Sequence, residues 1–143
     1  MAINTKQANL ISDKIRKSKT PFYVAYNLRF HPIIQYLSKN IVLEDINEVS
    51  VYCGSYLPDW RPGQDYTKSY SAYEDKGGGV HFDLIHELDY ILKVFGTPKS
   101  SYCMLRKVSD LKITSKDYAH YCLEYENYSL NLTLNYFFFQ YYL

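Results

Sequence analysis

Little in this 143-residue sequence is arranged for cross-linking. It holds three cysteines, Cys53, Cys103 and Cys122, far apart and inside apolar segments. An odd count, with no C-x-x-C and no Cys/His cluster, argues against a disulfide framework or a zinc site and predicts buried free thiols. Glycine (6) and proline (5) are sparse, and no internal repeat or low-complexity linker divides the chain. An excess of either charge is missing too: 16 Lys and Arg against 15 Asp and Glu leave a net +1. That balance gives no electrostatic pull toward nucleic acid or an anionic membrane surface. No apolar run approaches the ~20 residues of a membrane span, and the start, MAINTKQANL, lacks the apolar core of a secretory signal. The expectation is a cytoplasmic protein with no metal site and no nucleic-acid or membrane partner.

What is present in excess is tyrosine, at 17 residues. The ending NYFFFQYYL is almost wholly aromatic, and as a last strand it would leave an apolar edge of the kind proteins blunt with charge or proline. A chain cut short of a finished fold is expected on that ground. Hydrophobic residues at 47% and charged ones at 22% are ordinary for a globular protein, and the length suits one domain with a core of its own.

Along the chain, residues 4–18 read as a helix capped by Asn4 or Thr5, with Ala8, Ile11 and Ile15 on one side and basic residues at its end. PFYVAYNLRF follows as an expected buried strand. His31-Pro32 starts a second helix bearing Ile33, Ile34, Leu37 and Ile41. This helix–strand–helix piece has no sheet partner of its own. From Glu48 the pattern changes: EVSVYCGSYL alternates as a strand, and residues 58–79 show no clean period. Unpatterned stretches of that length are functional or disordered, and Trp60 with its tyrosine neighbours argues against disorder. Strand patterns recur in SYCMLRKV, YAHYCLEYE and SLNLTLNYFFF, the last two joined by a hairpin at Asn127-Tyr128.

Between them lies GGGVHFDLIHELDY (77–90). Val80, Leu84, Leu88, Ile91 and Phe95 form one apolar stripe of a helix, while Asp83, His86, Glu87 and Tyr90 share another face. Exposed amides of the glycine lead-in would favour an oxygen-rich ligand. The residues alone leave two readings open. Asp83 in a first turn stabilises any helix, and His86 with Asp89 would be ordinary surface neighbours; alternatively, a histidine beside a carboxylate takes a proton from a substrate hydroxyl.

Taken in order, VAYNLRFHP (24–32), YCGSYLPDWRPGQDYTKSYSA (52–72), GGGVHFDLIHELDYILKVFG (77–96) and LEYENYSLNLTLNY (123–136) resemble the Gfo/Idh/MocA family of NAD(P)-dependent oxidoreductases. The resemblance implies an α+β fold: an open, mostly antiparallel sheet with a principal helix packed on one face, preceded by a helix–strand–helix remnant of a Rossmann domain. Residues 1–45 would be that remnant, and residues 46–143 a truncated substrate and oligomerisation domain. After the glycines the family places an aspartate and then a histidine four residues on. Here His86 follows Asp83 by three, with Glu87 at the fourth place.

The resemblance carries the catalytic histidine to His86 and substrate binding to Asp83, with Trp60, Arg61, Lys68 and Tyr90 as further sugar contacts. It places Asn27 and Arg29, at the carboxyl end of their strand, beside the nicotinamide. A salt-bridged Arg29 and plain loop packing of Trp60 are the competing roles. No G-x-G-x-x-G and no Glu-Lys-Pro motif occurs. The expected function is therefore a substrate-domain fragment of a sugar or nucleotide-sugar oxidoreductase, inactive alone, whose NAD or NADP requires a Rossmann-domain partner chain. The alternatives are one subunit of a split enzyme, or a non-catalytic sugar-binding or oligomerisation module that pairs through its sheet.

Overall fold

The first helix, α1 (Thr5–Lys17), starts where Asn4 accepts the Gln7 N–H at 2.9 Å and ends on Lys14, Arg16 and Lys17. Both ends satisfy helix-terminus chemistry from local sequence alone. The computed structural model describes residues 2–138. The second helix, α2 (Pro32–Asn40), opens on proline, with the His31 ring accepting from the Ile33 N–H at 3.3 Å. None of α1 is buried, whereas Ile34, Leu37 and Ile41 reach the core.

Between these helices the expected strand does not form. Residues 21–26 carry no regular structure, and Asn27–Phe30 make a 3-10 turn. Phe22, Tyr23 and Val24 are 59, 87 and 62% exposed. A strand is held by the hydrogen bonds of a neighbour, and the described sheet offers this segment none.

That sheet contains β1 (Glu48–Gly54), β2 (Ser100–Arg106), β3 (Tyr118–Glu124) and β4 (Ser129–Asn135) in the order β1-β4-β3-β2. β1 runs parallel to β4, and the other two pairings are antiparallel. Alternation sorts the faces: Leu130, Leu132 and Leu134 of β4 are buried with Ala119 and Leu123 of β3, while Asn131 and Thr133 lie on the opposite face with Cys122 and His120. The turn between β3 and β4 is closed by Tyr125 N–H to the Tyr128 carbonyl at 2.9 Å. β4 lies inside the sheet between β1 and β3. The apolar-edge expectation falls on the aromatic ending, whose residues 139–143 lie outside the described residues.

The glycine-led helix is two pieces, α3 (Val80–Asp83) and α4 (Ile85–Phe95), parted at Leu84 with φ −103° and ψ 24°. That backbone lies near the bridge region between helix and strand. Val80, Leu84, Ile91 and Phe95 are buried and Leu88 packs against them, as the stripe predicts. Each fully buried aliphatic of this kind contributes roughly 1.5–3 kcal/mol. Among the described residues no helix is long and apolar enough to cross a membrane.

Candidate functional site

The three glycines are used by the chain itself. Gly77 N–H bonds the Glu74 carbonyl at 3.1 Å, Gly78 N–H that of Tyr73 at 2.8 Å, and Val80 N–H that of Lys116 at 2.9 Å. Gly79 is buried with them. The expectation of exposed amides awaiting an oxygen-rich ligand is therefore overturned, and four-residue α3 is too short to concentrate a helix dipole. Glycine is required for two other reasons. Gly77 and Gly79 have φ of 80° and 136°, and a Cβ on Gly78 would sit 2.4 Å from the Tyr70 carbonyl oxygen and 2.5 Å from that of Ser71. The close approach is to the chain's own backbone.

That contact fixes the loop that carries Tyr70. Ser115, fully buried, donates to the Ser71 carbonyl at 2.6 Å, and Thr114 N–H to that of Ala72 at 2.9 Å. Tyr70 in turn donates to Asp83 Oδ1 at 2.7 Å, and Tyr136 donates to Asp83 Oδ2 at 2.5 Å. Asp83 thus holds one tyrosyl hydroxyl on each oxygen. Burial first, then the Asp83 hydrogen bond, pushes Tyr136 far above the usual tyrosine range; for Tyr70 the Asp83 hydrogen bond leads. Both phenols stay protonated as donors.

Trp60 packs edge-on against Tyr136, ring centroids 5.3 Å apart, and its indole N–H donates to Ser55 Oγ at 2.7 Å. It also walls an open groove of about 490 Å³ that Arg61, Asp65, Tyr66 and Lys68 line with it. Three of the expected sugar contacts, Trp60, Arg61 and Lys68, therefore meet in one concavity. Lys68 lies 4.0 Å from Asp65 and is largely exposed. Asp83 is joined to the groove through Tyr136 and Trp60.

His86, Glu87 and Tyr90 form a second cluster with Cys53 of β1. His86 Nε2 stands 3.4 Å from Glu87 Oε1, the side chains 33 and 12% exposed. Burial and then the Glu87 charge push Cys53 up to about 11; burial and then the Glu87 hydrogen bond push Tyr90 well above its ordinary value. The imidazole is neither sealed in hydrocarbon nor fully in water.

Asp89 is no surface neighbour of His86, contrary to the sequence expectation. It is buried, and Arg29 donates to it from Nε (2.8 Å) and Nη2 (2.6 Å). The salt-bridged role of Arg29 is the one its geometry shows. Asn27 is exposed in the same 3-10 turn. His81 stacks beside Phe82 with centroids 4.1 Å apart, and burial lowers its pKa. Among the described residues no group of three or more His, Cys, Asp or Glu is placed to hold a metal. Sequence reasoning missed Tyr70, Tyr136, Cys53 and Ser55. The tyrosine surplus was the one available signal, and it did not say which of them matter.

Residues 37–142 match the family model described as the GFO/IDH/MocA C-terminal domain. No curated protein matches the chain. Among solved structures, the WlbA dehydrogenase from Bordetella pertussis, in complex with NADH and UDP-GlcNAcA, superposes with a TM-score of 0.81 at 16% identity over 100% of this chain and 45% of its own. An oxidoreductase from Thermotoga maritima gives 0.73 at 16% identity, over 98% of this chain and 44% of its own. An oxidoreductase from Agrobacterium radiobacter, in complex with NAD+, L-tartaric acid and magnesium, gives 0.65 at 22% identity, over 92 and 37%. The chain spans less than half the length of each of these neighbours.

Proposed function

Because the chain belongs to the Gfo/Idh/MocA oxidoreductase family through its C-terminal domain, we propose that it is the substrate-handling part of an NAD(P)-dependent oxidoreductase acting on a sugar or nucleotide sugar. The observation that carries this reading is the groove in which Trp60, Arg61 and Lys68 converge. An indole face stacks on the apolar side of a sugar ring, and two cations suit a carboxylate or diphosphate. UDP-GlcNAcA, bound by the Bordetella neighbour, offers all three features.

In this reading His86 accepts the proton of the substrate hydroxyl, with Tyr90 beside it. Asp83, pinned by Tyr70 and Tyr136, keeps lone pairs for a sugar hydroxyl and fixes the wall on which the ring lies. The described residues do not fit a nicotinamide dinucleotide. The sequence has no G-x-G-x-x-G, Arg29 is committed to Asp89, and Asn27 alone makes no site. This reading places the cofactor on a Rossmann-type half outside the described residues, and the domain as described is inactive without it.

The chain's single tryptophan reports on the groove. Titration with UDP-GlcNAcA is expected to change Trp60 fluorescence saturably, and Arg61→Ala or Lys68→Ala to weaken binding about tenfold each, roughly 1.4 kcal/mol. A flat titration with UDP-GlcNAcA and with free sugar acids would remove the groove as substrate site.

One observation favours the oligomerisation module as a second reading. On the sheet face opposite the core, Tyr52 and Tyr102 are 56 and 63% exposed. Exposed aromatics on a flat sheet suit face-to-face pairing with a second copy, and light scattering of the purified chain would show a dimer or larger.

A further inference from the structure

We propose that Ser115 is a positioning residue for the groove: together with the turn that carries it, it sets the wall from which Tyr66 and Lys68 meet a ligand. The inference rests on the reading of the groove as substrate site and adds to it what holds that site in shape.

Tyr66, Lys68, Ser69 and Ser71 of the groove lining all fall in the stretch 66–71. Both ends of that stretch are tied to one turn, residues 107–117. At the far end the Ser115 hydroxyl donates to the Ser71 carbonyl at 2.6 Å, with Ser115 and Ser71 only 0 and 3% exposed. Beside it the Thr114 N–H donates to the Ala72 carbonyl at 2.9 Å, and the Glu74 N–H to Thr114 Oγ1 at 3.2 Å. At the near end the Lys112 N–H donates to the Tyr66 hydroxyl at 3.2 Å. Between these ties the Lys68 ammonium stands 4.0 Å from Asp65, its side chain 83% exposed.

The turn is itself held. Asp117, fully buried, accepts from the Val108 N–H at 2.7 Å, from the Ser109 N–H at 3.0 Å and from the Ser109 hydroxyl, and Lys107 Nζ lies 3.4 Å from the same carboxylate. Its backbone donates to the Arg106 carbonyl and accepts from the Tyr136 N–H, which fastens the turn to the sheet. Leu111 and Ile113 pack against the core. A buried carboxylate supplied with donors in this way releases them only at high cost.

Ser71 cannot yield in the other direction. A Cβ on Gly78 would stand 2.5 Å from the Ser71 carbonyl oxygen, so that oxygen sits between the Gly78 backbone and the Ser115 hydroxyl. Deleting the hydroxyl leaves a buried carbonyl short of a donor. Water reaches it only if the wall moves away from the turn, and that movement displaces Tyr66 and Lys68. Groups that contact a ligand are only as well placed as the bonds behind them.

Hydrogen exchange of the full chain tests this first. The amides of Lys68, Ser69 and Ala72, each bonded within the wall, are expected to exchange in step with that of Thr114, as one opening unit. Wall amides that exchange far faster than Thr114 would overturn the inference, whether or not any variant folds.

Ser115→Ala is expected to speed exchange of the wall amides several-fold while β3 and β4 stay protected. It is also expected to weaken UDP-GlcNAcA binding several-fold, read by Trp60 fluorescence well below the melting temperature. Tyr125→Phe removes a hydroxyl that donates to the Gly96 carbonyl at 3.1 Å, at a residue that does not line the groove, and is expected to leave the affinity unchanged. Unaltered affinity in Ser115→Ala would reduce Ser115 to a stability role and overturn the inference, as would an equal loss in Tyr125→Phe. A flat titration of the unmodified chain would remove the groove reading, and the exchange data then decide alone whether the turn holds the wall. Intact binding that Ser115→Ala does not weaken would remove this inference and leave that reading standing.

Discussion

Arg29 donates two hydrogen bonds to the carboxylate of Asp89, from Nε at 2.8 Å and Nη2 at 2.6 Å, across sixty residues of chain. The pair ties the 3-10 turn before α2 to the buried side of α4, three residues past His86. Bidentate geometry makes it an orienting contact as well as an electrostatic one.

Asp89→Asn is therefore expected to lower the melting temperature by a few degrees and to loosen the first segment. Because Arg29 is partly exposed, its guanidinium regains water and the loss stays moderate. Hydrogen exchange should show faster amides around Asn27–Phe30 with α4 still protected. A double-mutant cycle with Arg29→Gln that gives no coupling would remove the pair from the stability account.

Removing the Tyr136 hydroxyl strikes a fully buried knot. Tyr136→Phe leaves Asp83 Oδ2 without its partner, and an orphaned buried group costs about 1–3 kcal/mol. Tyr70→Phe, at a residue 45% exposed, is expected to cost clearly less because water can replace the lost donor. Urea unfolding of the two variants should rank them in that order, and the reverse ranking would contradict the burial argument.

Gly78 and Gly63 separate close approach from backbone strain. A Cβ at Gly78 meets backbone oxygens at 2.4 and 2.5 Å, so Gly78→Ala must move the 70–71 loop. Overpacking of this kind costs typically 1–3 kcal/mol, and the variant should also disturb Trp60 fluorescence through Tyr70 and Asp83. Gly63 has open space around it but φ of 78°, so Gly63→Ala is expected to cost only about 1 kcal/mol. Similar melting temperatures for the two would refute the assigned reasons.

Alkaline pH should destabilise the fold by stages. Burial raises Cys53 from 9.0 to about 11 and Tyr125 from 10.0 to about 12. A group whose pKa is higher folded than unfolded holds its proton more tightly in the native state. Its stabilisation is complete below the unfolded value and is lost as pH rises through the folded one. Stability measured by urea unfolding should be flat up to about 9, then fall between 9 and 12. Cys53→Ala should delay the first part of the fall; an unchanged profile would show that the thiol is already ionised or exposed.

The sequence by itself determined the helices at 5–17 and 32–40, the strand alternation and the apolar stripe of α4, because caps and periodicity act over a few residues. It also brought His86 and the Trp60–Lys68 loop forward as candidates, through residue type and resemblance. It misplaced residues 21–30, since a β-like pattern forms a strand only where a neighbouring strand takes its hydrogen bonds. Only the tertiary structure decided that Asp83 is gripped by Tyr70 and Tyr136, that Asp89 turns inward to Arg29, and that Cys53 of β1 comes beside Glu87. These partners lie up to sixty residues apart in sequence. Hydrogen bonds at such separations are set by how the sheet and helices pack, and no local spacing encodes them.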